Sequence, residues 1–355
     1  MLRHDSCIGT AVEIKDEMKK SLFLIVVASL LATACAKHSS TSANAEAKEY
    51  FDAWIQVNYP DLKPTPLGAY VLEDVEGDGK LLGDSENSKY IRVEVTASAL
   101  DGTISNTTRE SVAKQLGTYS ETDFYGPAIW TRTGDILYAG VDEAVSTMRV
   151  GGRKKTIIPG WLFTSNRYDT PQEYVDNVTG ANAIYDIEVV EAFDDLVKWE
   201  IDSIGRYLAA NYSDVTVADS VKFGYYYIQE KAPTDTASFP NDTTFYINYI
   251  GRLLNGKVFD TNIADTAKMY GLYNSSSTYS PQLINYSSDK YEEITMGTDG
   301  GSLIDGFSYA LWKMKSNEKG RCIFYSTLGY SATGSGNKIP AYSPLIFDIE
   351  IVGKP

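Results

Sequence analysis

Apolar and polar positions alternate along two stretches near the end of the chain, and each stretch reads as strand, turn and strand. Residues 245–262 carry an Asn-Gly hairpin signal between runs of tyrosine, isoleucine, leucine, valine and phenylalanine. Residues 329–352 end in an apolar run that only two acidic residues interrupt. The pattern therefore predicts a β-sheet in the last third of the chain.

The same order of elements occurs twice along the sequence. A helix-like segment begins each copy, at residues 46–57 and again at residues 192–211. Three pairs of strand-like segments then follow in the same order: 68–74 and 224–230, 89–107 and 244–262, and 184–190 and 346–352. Duplication is the simplest explanation, so the sequence predicts two tandem copies of one domain.

Four motifs of the second copy resemble the FKBP-type peptidyl-prolyl isomerases. They are Tyr-x-Gly at 249–251, x-Gly-x-x-Phe-Asp ending at 260, Tyr-x-Ala-x-Gly at 330–334, and Ile-Pro followed by Leu-x-Phe-Asp-x-Glu at 339–350. Four matches in the family's order form a specific signal. The resemblance implies an α+β fold with two tandem FKBP-like domains, each a curved antiparallel sheet around a short helix, with preceding linker helices.

The resemblance also implies an apolar prolyl-isomerase pocket in the second copy. In the family the pocket has an aromatic floor, apolar walls, a hydroxyl donor and an acidic rim residue. Those roles fall on the floor Phe307, the walls Tyr249, Phe259, Ile304, Ile339 and Phe347, the donor Tyr330 and the rim residue Asp260. Two departures are Phe307, where tryptophan is typical, and Ser302, where glutamate or glutamine is usual. The implied partners are proline-containing polypeptides, and no cofactor is implied.

The first copy keeps the framework of the second but loses its motif residues. The corresponding places hold Val95, Ile104, Ser105, Leu137, Val141, Phe163 and Tyr185. We therefore expect an inactive copy that is kept for packing, dimerisation or holding of client polypeptides. A misalignment across its long loops is the alternative explanation.

Composition excludes several other classes of function. The two histidines, His4 and His38, precede any plausible fold, so neither a histidine-dependent hydrolase nor an imidazole metal site can be built from the folded part. Three scattered cysteines supply no thiolate metal site, so no metal is expected. A net charge of −15 argues against nucleic acid as a partner, because phosphates would be repelled.

The N-terminus has the features of an export signal. Lys19 and Lys20 precede the apolar run 22–31, and small residues then lead to Cys35. This resembles a bacterial lipoprotein signal, with translation starting at Met18 and lipid attached to Cys35, although Ala32 stands where leucine is usual. The alternative is a simple secretory signal that is cut after Ala34. The apolar run is too short for a transmembrane helix.

Together these features predict five segments and one leading function. The segments are a signal peptide (1–34), a lipidated tether and helix (35–59), a degenerate FKBP-like domain (60–193), a linker helix (194–220) and an FKBP-like isomerase domain (221–355). The leading function is prolyl isomerisation in envelope proteins by a lipid-anchored protein that faces the periplasm or the cell exterior. A non-catalytic binding or assembly lipoprotein is the alternative, and a glycan-binding lipoprotein comes third. Residues 265–293 are expected to form an ordered surface loop or, alternatively, a flap over the substrate.

Overall fold

The computed structural model describes residues 43–86, 88–212 and 222–355. The predicted signal peptide, Cys35 and most of the tether lie outside these residues. Within the three described ranges, no helix is long and apolar enough to cross a membrane. The chain forms two compact units, of which the smaller comprises residues up to Asp61 together with Gln172–Thr179.

The smaller unit contains helix α1 (Ala43–Asn58) and most of the short helix α4 (Pro171–Asn177). The hydroxyl of Thr179 donates a hydrogen bond of 2.7 Å to the amide oxygen of Asn44. Phe51 and Ile55 are buried and lie four residues apart, so they share one face of α1. The predicted helix before the first copy is therefore present.

The larger unit, Leu62–Pro171 with Gly180–Pro355, contains two antiparallel sheets. The first sheet has the strand order β1-β5-β6-β2-β3, with β4 also paired to β2. Its strands are β1 (Tyr70–Val75), β2 (Tyr90–Ser98), β3 (Ile104–Thr107), β4 (Ala128–Thr131), β5 (Arg153–Ile158) and β6 (Ala183–Phe193). Two helices accompany it, α2 (Glu110–Leu116) and α3 (Ala139–Ser146).

The second sheet repeats this order after the linker helix α5 (Leu196–Asn211). Strands β7, β13, β14 and β8 follow one another, and both β9 and β10 pair with β8. The strands are β7 (Tyr225–Lys231), β8 (Thr244–Leu253), β9 (Val258–Thr261), β10 (Gln282–Asn285), β11 (Thr295–Met296), β12 (Gly301–Ser302), β13 (Lys319–Phe324) and β14 (Leu345–Val352). Helices α6 (Ala264–Met269) and α7 (Asp305–Lys313) complete this copy. The predicted α+β fold with a tandem repeat of antiparallel sheets is confirmed.

Strict alternation explains why these segments form half-buried strands. Every second residue of β8 from Phe245 to Leu253 is buried, and β2 shows the same alternation. Each hairpin that follows turns at a glycine with positive φ, Gly102 at 89° and Gly256 at 87°. A residue with a side chain is strained in that conformation, so the glycines fix the two hairpins at equivalent places.

The surface loop that we expected at residues 265–293 is only partly correct. This segment contains part of α6 and the whole of β10, which pairs with β8 as an added strand of the second sheet. The first copy has a helix and a strand at the same places, α2 and β4. Residues 265–285 therefore belong to the repeated unit, whereas residues 286–293 lie in a longer connection to the inner helix than the first copy has.

Cys322 is fully buried within β13, as its alternating surroundings predict. Burial raises the pKa of its thiol, because the thiolate would lose its hydration. The neighbouring Arg321 points to the other face of the sheet, where it binds Asp348. Cys322 is thus a small core residue.

Candidate functional site

Strand β8 carries Tyr249 into the core of the second copy. Its backbone N–H donates to the amide oxygen of Asn262 at 2.8 Å, and its carbonyl accepts from the Thr261 hydroxyl at 2.7 Å. Asn262 is itself buried and donates to the Ile247 carbonyl at 2.9 Å. The side chains of Thr261, at the end of β9, and Asn262, directly after it, therefore provide hydrogen bonds that β8 would otherwise lack there.

Four aromatic side chains from four separate elements, β8, β9, α7 and β14, meet and form one cluster. The ring centres of Phe307 and Phe347 are 4.8 Å apart, and Tyr249 lies 5.7 Å from Phe307. Phe259 lies 5.5 Å from Phe347. All three contacts are edge-to-face, the arrangement that ring quadrupoles favour. We call Tyr249, Phe259, Phe307 and Phe347 the aromatic cluster.

A glycine beneath the aromatic cluster makes its packing possible. A Cβ at Gly251 would lie 2.5 Å from the Phe259 ring and 2.9 Å from the Phe347 ring. Gly306 has a similar role in α7, since a Cβ there would lie 2.4 Å from the ring of Phe324. Both glycines let backbone approach aromatic rings more closely than any other residue allows.

The remaining predicted residues surround the aromatic cluster. Ile339 is buried in the same core, whereas Ile304 and Tyr330 are half-buried and pack against it. Ile304 lies directly before α7. Its carbonyl accepts hydrogen bonds from the backbone N–H and the hydroxyl of Ser308, four residues later. The structure therefore brings all eight predicted site residues together, although Ser302 is exposed in β12.

Asp260 forms the polar edge of this site. It is exposed, and one of its carboxylate oxygens accepts a 2.8 Å hydrogen bond from the Tyr249 hydroxyl. Burial and the nearby Asp260 charge both raise the pKa of Tyr249, and the same two causes raise the pKa of Tyr330. Both phenols are therefore protonated donors near neutral pH.

The loop between Tyr330 and Ile339 is tightly folded. The Gly334 N–H donates to the Tyr330 carbonyl at 3.1 Å, and a Cβ at Gly334 would lie 2.3 Å from the Ile339 carbonyl oxygen. Gly334 also has a positive φ of 63°. This geometry explains the glycine that ends the Tyr-x-Ala-x-Gly motif, and it fixes the spacing of Tyr330 and Ile339.

The first copy contacts this loop directly, and no local sequence pattern predicts that contact. The backbone N–H of Phe124 donates to the Asn337 carbonyl at 2.7 Å, and the Phe124 ring packs against the second core. Lys257, in the hairpin before Phe259, donates to the Glu121 carbonyl at 2.9 Å. Asn262 and Phe324 were also missed, because a buried amide and one more strand phenylalanine carry no distinctive sequence signal.

Sheet register corrects two of the equivalences that we predicted for the first copy. Gly251 pairs with both Asp260 and Phe347, and Ala97 pairs with both Asn106 and Tyr185. Ser105 and Asn106 are therefore equivalent to Phe259 and Asp260, one residue later than the predicted Ile104 and Ser105. The hairpin glycines give the same answer, because Ser105 follows Gly102 by three residues as Phe259 follows Gly256.

A second correction concerns the residue before the inner helix. Tyr138 directly precedes α3 as Ile304 directly precedes α7, so Tyr138 and not Leu137 is its counterpart. The predicted equivalences of Val95 with Tyr249 and of Tyr185 with Phe347 agree with the sheet register. The predicted equivalence of Val141 with Phe307 agrees with helix position, since each is the third residue of its helix. The ring of Phe163 lies 5.5 Å from that of Tyr185.

No group of three or more histidine, cysteine, aspartate or glutamate side chains is placed to hold a metal ion in the described parts of the chain. The chemistry available at the site is therefore that of aromatic surface, two phenol hydroxyls and one carboxylate.

Comparison with known proteins points to the same part of the chain. The sequence pattern of the FKBP-type peptidyl-prolyl cis-trans isomerases matches residues 236–352. FK506-binding protein 2 of Dictyostelium discoideum is 27% identical over 136 residues, which are 38% of this chain and 81% of that protein. An FK506-binding protein of Neisseria meningitidis serogroup A is 26% identical over 106 residues, 30% of this chain and 74% of that protein. The three FKBP domains of wheat FKBP73 are 15% identical, with a TM-score of 0.28, and cover 80% of this chain and 94% of that one.

Proposed function

Because the chain belongs, through residues 236–352, to the FKBP-type peptidyl-prolyl cis-trans isomerase family, we propose that its second copy catalyses the isomerisation of X-Pro bonds. The observation that carries this proposal is the Tyr330 hydroxyl. It lies at the edge of the aromatic cluster and makes no hydrogen bond to another described residue. It is therefore available to a bound polypeptide, whereas the Tyr249 hydroxyl is bonded to Asp260.

The physical requirement of this reaction is modest. An X-Pro amide isomerises in tens of seconds, with an activation energy of roughly 20 kcal/mol, because resonance resists rotation. A twisted amide loses that resonance and is less zwitterionic, so an apolar, water-poor surface binds it better than the planar form. This difference in binding lowers the barrier without any nucleophile, metal or cofactor.

Each site residue then has a distinct part in the proposal. Phe307 is the floor against which the proline ring rests, and Tyr249, Phe259, Ile304, Ile339 and Phe347 form the walls. Tyr330 donates to a carbonyl of the substrate. Asp260 holds the Tyr249 hydroxyl and thereby orients that ring.

Tyr330→Phe is expected to lower kcat/KM for a proline tetrapeptide by about 2- to 13-fold. One hydrogen bond to a neutral acceptor contributes about 0.5–1.5 kcal/mol, and the phenylalanine ring keeps the packing. The measurement is cis-to-trans conversion by full-length protein, with thermal unfolding as a check on the fold. Tyr342→Phe is the matched control, because its hydroxyl contacts Thr131 of the first copy at 3.1 Å. An unchanged rate for Tyr330→Phe would remove the hydroxyl from the mechanism, and an inactive parent protein would favour the binding-module alternative.

We further propose that the protein is lipid-anchored at Cys35 in a bacterial envelope and acts on envelope polypeptides there. The support is the basic, apolar and small-residue sequence that ends at Cys35. Cys35→Ser is expected to release the protein from the membrane fraction and to remove the acyl mass from its mature N-terminus. Ser39→Ala, in the tether, is the control. A Cys35→Ser protein that stays in the membrane fraction would contradict the anchor while leaving the isomerase proposal intact.

A further inference from the structure

The first copy contains a cavity where the second copy has its aromatic cluster. Its volume is about 400 Å³, and its walls include Val95, Ser105, Asn106, Val141 and Tyr185. By sheet register and helix position, these residues are the counterparts of Tyr249, Phe259, Asp260, Phe307 and Phe347. The cavity is therefore the space left by three missing rings, since valine, serine and valine replace tyrosine, phenylalanine and phenylalanine.

The cavity is open to solvent on one side and has the volume of a ligand site. Clefts of roughly 300–1,000 Å³ are typical of such sites. Here the bottom is formed by the buried side chains of Val95 and Val141. Ile136 and Tyr138, 63% and 46% exposed, stand at the entrance. Exposed apolar side chains beside an apolar cavity indicate that something apolar enters it.

The lining shows what kind of group fits. In the described residues no charged side chain lines the cavity, which includes Trp130 and Leu137 beside the valines. The side-chain amide of Asn106 makes no hydrogen bond to another described residue, and the hydroxyl of Tyr185 makes none either. The site thus offers an apolar interior with amide and phenol groups, which suits a neutral apolar side chain flanked by peptide groups.

The cavity also continues in one direction. A second cavity of about 370 Å³ shares Ser105, Asn106 and Thr108 with the first, and its far wall includes Phe124, Asn337 and Pro340. Asn337 and Pro340 belong to the loop region that carries Tyr330 and Ile339. Because the two cavities share a wall, an extended chain with one side chain in the first cavity passes along the second.

We propose that the first copy binds a bulky apolar side chain of an extended polypeptide, together with its flanking peptide amides. The bound residue need not be proline, because the cavity lacks the aromatic floor and two of the aromatic walls of the second copy, while Tyr185 remains in the place of Phe347. This site is separate from the isomerase pocket and does not depend on the activity of the second copy.

Proline-free pentapeptides test the proposal with the full-length protein. A blocked Gly-Gly-Phe-Gly-Gly peptide is expected to bind saturably, and at least about tenfold more tightly than the same peptide with alanine at the centre, as burial of one large apolar side chain implies. Isothermal titration or NMR titration measures both affinities. Equal affinity for the two peptides would overturn the proposal.

Variants that refill the cavity locate the binding. Ser105→Phe and Val141→Phe each return the ring that the second copy has, so each is expected to weaken phenylalanine-peptide binding at least tenfold while the protein still unfolds cooperatively. Ser276→Phe places the same ring on an exposed loop and should leave binding unchanged. Unchanged binding in both refilled variants would contradict the assignment.

A measurement on the unaltered protein keeps the test decisive if the refilled variants do not fold. A pentapeptide with benzoylphenylalanine at its centre is cross-linked by light, and the attachment site is mapped by mass spectrometry. Attachment within residues 95–141 or at Tyr185 supports the proposal. Attachment confined to the aromatic cluster, Ile304 or Tyr330 would mean that the peptide occupies the isomerase pocket, and the proposal would fall while the proposed isomerase function stood.

Discussion

Phe307→Ala is expected to lower the free energy of unfolding by about 3–5 kcal/mol and to abolish prolyl isomerisation. Phe307 is 3% exposed, and its ring contacts those of Tyr249 and Phe347 at 5.7 and 4.8 Å between centres. Alanine would remove the centre of the aromatic cluster and leave a cavity that the surrounding strands cannot close. The proline ring would then have no apolar floor. Denaturant unfolding and tetrapeptide isomerisation measure the two effects.

Two further variants separate loss of stability from loss of catalysis. Phe307→Leu keeps an apolar side chain, so it should remain folded while losing most of the rate. Phe193→Ala in the first copy removes a ring that stacks 4.9 Å from Trp199 and lies 5.7 Å from Tyr90, so it should reduce stability without changing the rate of the folded fraction. Full activity in Phe307→Leu would mean that the aromatic floor is dispensable.

As the pH rises from 4 to 7, the free energy of unfolding of the wild-type protein is expected to fall by about 2 kcal/mol relative to that of Glu200→Gln. Glu200, on α5, is 1% exposed, and its carboxylate accepts hydrogen bonds from the backbone N–H and the hydroxyl of Ser326 at 2.6 and 2.8 Å. Burial raises its pKa from 4.5 to about 6, and the two hydrogen bonds only partly oppose that rise.

The sign of this effect follows from proton binding. Between pH 4.5 and 6 the folded chain holds a proton on Glu200 that the unfolded chain has released. The contribution of Glu200 to the free energy of unfolding is therefore fully present below pH 4.5, and it is lost as the pH rises through 6. Glutamine cannot titrate, so the difference between the two proteins isolates Glu200 from all other carboxylates.

Denaturant unfolding at several pH values between 4 and 7 measures that difference. Asp202→Asn is the matched control on the same helix, since Asp202 is largely exposed and paired with Lys198 at 2.6 Å. Its difference from wild type should vary much less over this range, because an ion pair on the surface is hydrated and contributes little to stability. A flat difference for Glu200→Gln would show that the buried carboxyl titrates with an ordinary pKa.

The sequence by itself determined the fold class, the repeat and the membership of the aromatic cluster. These features rest on local signals, namely alternation with period two, hairpin glycines and motifs of a few residues. Because successive strand residues face opposite sides, the alternation predicts that Cys322 lies inside the sheet, whereas the motif resemblance predicts this of Tyr249. Most of the remaining site residues lie in short motifs. The hairpins and the loop at 330–339 hold the residues of these motifs at fixed positions relative to one another.

Only the tertiary structure decided which distant residues of the chain contact one another. The register places Asn106 opposite Ala97, one residue later than we predicted, although equal spacing from Gly102 and Gly256 already indicates this in the sequence. The cavity of the first copy, the Phe124 contact with Asn337 and the Glu200 contact with Ser326 have no such indication. Each joins residues far apart in the chain, and contacts of that kind depend on how sheets and helices pack, which no local pattern records.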